Sequence, residues 1–504
     1  MSDDVTPAGA SLRGRAATGV LWTALQTWSV RATTALAFIV ISRQLQPAEF
    51  GLVALAMAVI AVLTLLSDTG MATYLIRTRE IDERVRSTAF FTSMLFAFVL
   101  AGLLLLLAHP VSGLFGEDDL APVLQVLSIT LVITGLTSVP SALLKRRMEF
   151  RAIAVRTTSA TLVGSVVAIT LALLGAGAWA LVVQAIVRAV VALALTWAAV
   201  RWRPHLVFDR HAAREMLTFG SKLLSIDLLI QVRDRGEEFI LAAVAGATTL
   251  GFWSVATRLI KIVQETGSSV VNQVATPAFA KLQDDRTRLY RAYETALFSA
   301  GAVMFPAMLF LAVTSKDLVP FLLGQQWATT AAVAQVTSLT AALAVFSYFD
   351  RSVFVAVGKL RPEIFLVSTI VATHVVVTLL AAPHGLLVLA VALGIRAAVT
   401  FPLRQVVLHK TVGVPYRCLL KAFRVLLAAI VMAGACWGVM HLLPDAPQWG
   451  RLLAAAGAAA VVYPAALLLT ARPVAAELLA DLRRLLAGRR ARRVVTVPAE
   501  ETHV

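Results

Sequence analysis

Two arginines stand where a long apolar run ordinarily excludes charge, and they recur at a fixed interval. Arg188 lies well inside the apolar stretch that ends near Val200, and Arg396 holds the corresponding place 208 positions later. An ionised side chain deep in hydrocarbon costs ~2.5–3.5 kcal/mol even on a lenient insertion scale, so each needs a partner or an aqueous surrounding. At 1.5 Å per helical residue Arg188 is ~15 Å from the nearer end of its run, too deep to snorkel easily. The chemistry open to such a pair is anion binding. Planar guanidinium donors engage phosphate oxygens two at a time and stay charged at any working pH. Pairing with a buried carboxylate, as a packing lock, is the other role that fits. Arg31, mid-way along the first apolar run, has Arg233 as a looser counterpart 202 positions on, and Lys222 completes the candidate cationic set. Asp68 and Asp227 are candidates for a gate or coupling group, although Asp68 falls at a helix end, where a cap serves equally well. The run Arg233-Asp234-Arg235-Gly236-Glu237-Glu238 reads as a helix end held by local ion pairs.

The elements that position these residues are membrane helices. Of the 504 residues 59% are hydrophobic and 15% charged, with a mean hydropathy of +0.81, outside the usual globular mix. Apolar runs long enough to cross a bilayer, ~20 residues each, recur along almost the whole chain. They fall at 16–42, 50–76, 88–108, 121–144, 157–174, 178–200, 216–232, 237–264, 295–313, 328–349, 364–382, 385–408, 419–443 and 448–470. In lipid each backbone amide must be paired internally, so these runs are helices. The expected fold class is therefore an all-α polytopic membrane protein of about fourteen transmembrane helices. Pro306, Pro402 and Pro464 lie inside runs and can bend them.

The net charge of +16 sits mostly in alternate connections. Segments 1–15, 77–87, 145–156, 201–215, 265–294, 350–363, 409–418 and 471–504 hold 31 Lys and Arg, whereas the intervening connections hold 4. Basic loops stay inside, so both termini are expected to be cytoplasmic and the loop with Glu117, Asp118 and Asp119 outside. This distribution argues for membrane topology and against nucleic acid. After residue 471, Val474, Leu478, Leu482 and Leu485 share one side of a short helix followed by Arg489, Arg490, Arg492 and Arg493. The tail 472–504 is thus expected to be a cytoplasmic amphipathic segment on anionic lipid.

The chain also repeats itself. Phe50-Gly51-Leu52 is answered by Leu250-Gly251-Phe252, and Leu114-Phe115-Gly116 with Gln125 to Thr130 by Leu322-Leu323-Gly324 with Gln335 to Thr340. Lys145 and Glu149 match Lys359 and Glu363. Internal repeats in transporters mark lobes around a central site. Two pseudo-symmetric six-helix lobes, 1–205 and 212–412, are expected, followed by two further helices at 417–471.

With these features the sequence resembles the multidrug, oligosaccharidyl-lipid and polysaccharide exporter superfamily, specifically its Wzx-type polysaccharide flippases. The resemblance covers nearly the whole chain. It is carried by Ser42-Arg43-Gln44-Leu45-Gln46-Pro47-Ala48-Glu49-Phe50-Gly51-Leu52, by Asp68-Thr69-Gly70, and by Pro277-Ala278-Phe279-Ala280-Lys281-Leu282-Gln283-Asp284-Asp285 with Leu289 and Tyr293. It implies an alternating-access carrier in a bacterial cytoplasmic membrane that moves a polyprenyl-pyrophosphate-linked oligosaccharide outward, with membrane lipids, and a polymerase or glycosyltransferases, as partners. A drug-cation antiporter of the same superfamily is expected to carry a carboxylate in its first helix, and residues 16–42 hold Arg31 and no Asp or Glu. A peptidoglycan-precursor flippase shares the cationic logic and stays open. A membrane glycosyltransferase or polymerase fits less well, because the expected outer loops are short and His109 beside the acidic cluster is accounted for by a polar helix end. Cys418 and Cys436 lack any metal or redox spacing, so no metal and no cofactor is expected.

Overall fold

The computed structural model describes residues 12–470 except 69, 79, 80, 283 and 284; it does not describe the side chains of 12–21, 23, 24, 68, 222, 223, 225–227, 229, 230, 233, 234, 266–278, 280 and 281. The basic tail and the side chains of Asp68, Lys222, Asp227 and Arg233 therefore lie outside what is described. The described residues are mostly helical, with no strand among them. In order they form α1 (Leu12–Gln44), α2 (Pro47–Asp68), α3 (Met71–Arg77), α4 (Glu83–Phe115), α5 (Leu120–Leu127), α6 (Ile129–Arg146), α7 (Phe150–Leu173), α8 (Trp179–Ala199), α9 (Arg210–Lys281), α10 (Arg286–Leu323), α11 (Ala328–Ala344), α12 (Asp350–Ala356), α13 (Leu360–Ala381), α14 (Leu386–Val412), α15 (Leu420–Leu442) and α16 (Gln448–Thr470). Twelve described stretches are long and apolar enough to span a bilayer, fewer than the fourteen runs read from the sequence.

Burial follows the logic of lipid rather than water. In α4 the small residues Ala89, Ala97, Ala101 and Ala108 are buried, while Leu105, Leu106 and Leu107 face outward. Hydrocarbon is as apolar as leucine, so helices gain by letting small side chains meet and leaving large ones to the lipid. Gly135 of α6 shows the same principle: a side chain there would meet the Ala97 methyl at 2.6 Å.

Packing divides the chain into two compact units. The first comprises residues 1–262, 319–333 and 368–396. One end of it is an aromatic cluster in which Phe90 stacks edge-on against Trp197 and Trp202. Both indoles are satisfied: Trp202 donates to Glu83 at 2.6 Å and Trp197 to the Leu136 carbonyl at 3.1 Å. Without its partner the N–H of the buried Trp202 would cost ~1–3 kcal/mol.

The second unit comprises 263–318, 334–367 and 397–504. Its densest polar feature is a buried ionic network. Arg404 of α14 donates to Asp350 at 2.9 Å and to Glu363 at 3.1 Å, and Asp350 also accepts from Tyr293 at 2.7 Å and Gln405 at 3.0 Å. Four helices, α10, α12, α13 and α14, are thereby tied at one level. The hairpin of α15 and α16 is pinned to α10 by Tyr463, which donates to the Ala302 carbonyl at 2.6 Å, and by the Arg451–Asp317 ion pair at 2.5 Å. Both cysteines are buried.

One expectation needs correction. The charged run 233–238 is not a connection between helices; it lies inside α9, and the break falls at Gly246 (φ 79°, ψ 171°). Glu238 and Lys261 interact electrostatically, although a straight helix would hold them ~35 Å apart. The chain therefore reverses at Gly246, and within the first unit the stretches 235–245 and 247–261 run side by side. A positive φ costs a residue with a β-carbon ~1–2 kcal/mol, which is why glycine makes the turn. The charges mislead because they satisfy one another within the helix: Arg235 binds both carboxylate oxygens of Glu238, at 3.0 and 2.9 Å.

Candidate functional site

The α9 stretches on either side of Gly246, packed with α1, α2, α7 and α8, leave a cavity of about 400 Å³ inside the first unit. Ala37, Phe38 and Ile41 of α1 and Phe50 and Val53 of α2 give it an apolar flank. The opposite flank is polar. Arg188 and Gln184 enter from α8, Thr161 and Ser165 from α7, and Arg235, Glu238, Ser254, Thr257, Arg258 and Lys261 from α9. Four basic groups face one carboxylate, a formal surplus of three positive charges. Hydroxyl and amide groups beside such a surplus provide neutral hydrogen-bonding positions for a polar ligand whose charge is held nearby.

Local geometry sets where the cations point. Gly164 lets α7 and α8 approach so closely that a side chain there would stand 3.2 Å from the Gln184 carbonyl and 3.3 Å from the Arg188 β-carbon. Arg188 thus projects from a tightly held helix pair, and its own side chain stays exposed within the cavity. Arg258 and Lys261 lie three residues apart, as do Arg235 and Glu238, so each pair shares a face of its helical segment. The bidentate Arg235–Glu238 pair is partly buried, with side-chain exposures of 32% and 15%.

The cavity is bounded at one end by a backbone crossing. Added side chains at Gly51 and Gly251 would overlap the Ala247 and Pro47 carbonyls respectively, so α2 and the second part of α9 touch main chain to main chain. Phe50 and Phe252, neighbours of the paired glycines, both set their edges against Trp327. Trp327 donates its indole N–H to the Ser42 carbonyl at 2.7 Å, and Arg43 reaches the Leu322 and Phe321 carbonyls at 2.8 and 2.5 Å. Glu117 accepts from the Ala247 amide at 3.0 Å, capping the segment that starts after the Gly246 turn. The repeated Phe-Gly and Gly-Phe texts therefore pack on each other.

Of the residues singled out from the sequence, Arg188 lines the cavity. Arg31 is on α1 with its guanidinium 5.9 Å from the Trp28 ring centre, and it is not among the lining residues. Arg396 is on α14, within electrostatic reach of Glu237, and likewise lines no part of this cavity. Its repeat relation to Arg188 does not extend to its surroundings. Arg235, Glu238, Arg258 and Lys261 were not picked out as ligand-facing. The available signal was charge at three-residue spacing in otherwise apolar helix. Among the described residues no group of three His, Cys, Asp or Glu is arranged to hold a metal ion.

Comparison with known proteins places this architecture. The chain is 27% identical over 332 residues to the lipopolysaccharide biosynthesis protein WzxC of Escherichia coli strain K12, covering 65% of this chain and 67% of that protein. It is 28% identical over 307 residues to the succinoglycan biosynthesis transport protein ExoT of Rhizobium meliloti, covering 60% and 62%. The matched region is thus less than two thirds of the length of ExoT. Among solved structures, the lipid II flippase MurJ in an inward closed conformation aligns with a TM-score of 0.73 at 12% identity, over 90% of this chain and 99% of that one. An inward-facing multidrug resistance MATE family transporter of the MOP superfamily aligns with a TM-score of 0.54 at 17% identity, over 76% and 96%. These structural likenesses show a shared fold. Residues 40–332, more than half of the chain and nearly all of the cavity lining, match the profile of the family described as polysaccharide biosynthesis protein (Polysacc_synt_3), and the chain belongs to that family.

Proposed function

We propose that this protein is an alternating-access flippase that carries an anionic, polyprenyl-pyrophosphate-linked oligosaccharide to the outer leaflet of a bacterial cytoplasmic membrane. The observation that carries the reading is the formal surplus of three cations in a cavity whose other walls are hydroxyl-bearing and apolar. Guanidinium and ammonium groups suit a diphosphate, the hydroxyl and amide side chains suit the first sugars, and the apolar flank of α1 and α2 suits the adjoining lipid. Arg188, Arg235, Arg258 and Lys261 are assigned to the phosphates. Arg31, Arg233 and Lys222 are proposed as further cationic positions, and Asp68 and Asp227 as gate or coupling positions. The repeat supports two lobes at 1–205 and 212–412, with 417–471 as an added helix pair, and basic loops support cytoplasmic termini. In that orientation the Gly51–Gly251 crossing closes the outer end and must part to release substrate.

The names of both relatives agree with a saccharide cargo, and that of ExoT describes transport. A drug-cation antiporter is disfavoured by the sign of the cavity. A peptidoglycan-precursor flippase is the second reading, favoured by the likeness to MurJ. Deleting the gene decides between them: lipid-linked oligosaccharide should accumulate on the cytoplasmic face and surface polysaccharide should be lost while peptidoglycan synthesis continues. Arrest of peptidoglycan synthesis with normal surface polysaccharide would replace the first reading by the second.

A further inference from the structure

In the connection from α8 to α9, Leu206, Val207 and Phe208 stand in a row and are 94%, 41% and 55% exposed. Neighbouring apolar side chains in water are unfavourable unless something covers them. The segment is firmly mounted. The His205 amide donates to Ser87 Oγ at 3.1 Å and the Asp209 amide to Thr88 Oγ1 at 2.9 Å, so both ends of the apolar tip are fastened to α4. Asp209 Oδ1 in turn accepts from the His211 and Ala212 amides at 2.8 and 3.2 Å, which fixes the start of α9.

The level of this tip is that of a membrane surface. α8 has 21 residues, a length of ~30 Å that matches the hydrocarbon core, so the connection begins where the hydrocarbon ends. The stacked rings of Trp197 and Trp202 lie at the same place, as aromatic residues do at a membrane interface. Behind the tip, Phe208, Arg210, Arg214, Leu217, Thr218 and Ser221 line a shallow groove of about 420 Å³. Arg210 and Arg214 are one helical turn apart on that face. Arg201 and Arg203 precede the tip, Arg203 with its guanidinium 5.3 Å from the Trp197 ring centre. The nearby carboxylates are fewer and engaged: Asp209 caps α9, Glu215 lies beside the Tyr74 hydroxyl, and Glu83 holds Trp202. Membrane topology accounts for basic residues in this connection, but not for an apolar tip held rigidly at the head of their groove.

The geometry points to a binding site for an anionic glycerophospholipid of the leaflet that this connection borders. The tip enters the boundary between headgroups and acyl chains, Arg210 and Arg214 take the phosphate, and Phe208 and Leu217 meet the first methylenes. Thr218 and Ser221 direct their own hydrogens to the Arg214 and Thr218 carbonyls at 2.8 and 3.0 Å, so their oxygens are offered as acceptors to a headgroup hydroxyl. The groove shares no lining residue with the cationic cavity, and its assignment does not depend on the cargo.

Contact quenching in vesicles tests the assignment on the full-length protein. Leu206→Cys is coupled to an environment-sensitive fluorophore; both native cysteines are buried and escape the label. The protein is reconstituted in phosphatidylcholine with a minor share of phosphatidylglycerol, and bromine quenchers are placed on the acyl chains of one lipid or the other at equal mole fraction. Both lipids should quench, and brominated phosphatidylglycerol at least ~3-fold more, because basic residues at a membrane surface enrich anionic lipid. The ratio should fall to about one when Arg210→Gln and Arg214→Gln are added, and also with the arginines intact in about 1 M salt, where charge is screened beyond ~3 Å. No quenching by either lipid, a ratio of one at low salt with the arginines intact, or a preference that survives the double variant would overturn the site. So would a preference erased by soluble glycerol phosphate, which would assign the groove to a free phosphate ester. Quenching that fades as protein density rises would overturn it as well, since a second copy of the chain would then cover the tip.

Discussion

At the scale of single residues the account turns on Arg188. It projects into the cavity from the α7–α8 contact that Gly164 makes possible, so both its charge and its placement can be probed. Arg188→Lys should retain part of surface polysaccharide export as a point charge, and Arg188→Gln should lose it with unchanged abundance in the membrane. Gly164→Leu should impair export nearly as much although it removes no charge, because the helices must move apart and carry Arg188 with them. Arg404 provides the contrasting case. Removing it leaves Asp350 and Glu363 buried without their cation, and Arg404→Ala should lower stability by ~3–5 kcal/mol, read as lost membrane abundance and a lower melting temperature in detergent. If Arg188→Gln behaves like Arg404→Ala, Arg188 is a packing residue. The sequence exposes Arg188 because a charge in the middle of an apolar run is visible without coordinates. It hides Arg258 and Lys261, because their depth depends on where the chain turns.

At the scale of elements the decisive feature is the reversal at Gly246. Apolar length alone locates most helices, since the bilayer demands ~20 residues per crossing. The same criterion misplaces a turn when ionic groups inside a helix pair with each other, as Arg235 and Glu238 do. A charged stretch then looks like a loop, and the true turn, an inconspicuous glycine between apolar residues, looks like helix. Gly246→Ala should destabilise the protein by ~1–2 kcal/mol through its positive φ, whereas Gly236→Ala, in open space inside the helix, should be neutral or slightly stabilising. Thermal unfolding in detergent distinguishes the two. The Gly51–Gly251 crossing makes a sharper demand. The paired motif was legible as a repeat, but that its two copies touch required the structure. Gly51→Ala would place its methyl on the Ala247 carbonyl, so it should prevent this closed contact and raise labelling of a cysteine introduced at Met57, in the cavity lining, by an impermeant thiol reagent. Unchanged labelling would mean that the crossing does not govern access.

At the scale of the whole molecule the helical membrane fold was readable from residue types and the family from the resemblance of its motifs. The membership of the site was not. Arg188 and Arg396 are equivalent in the repeat, yet one lines a cavity while the other neighbours Glu237, since a duplicated backbone preserves position and not the partners facing it. Loop charge makes its own prediction at this scale: cysteines introduced at Asp118 and Arg147 should respectively be labelled and protected in intact cells. The central claim, that a cationic cavity moves an anionic lipid-linked saccharide, is tested most directly by translocation itself. Spheroplasts lacking the native gene can be supplied with wild-type protein or with the Arg188→Gln, Arg258→Gln, Lys261→Gln triple variant at matched abundance. Appearance of lipid-linked oligosaccharide in the outer leaflet is then timed with an impermeant lectin. Steady appearance with the wild type and none above background with the triple variant is the predicted result, and equal rates for the two proteins would contradict it.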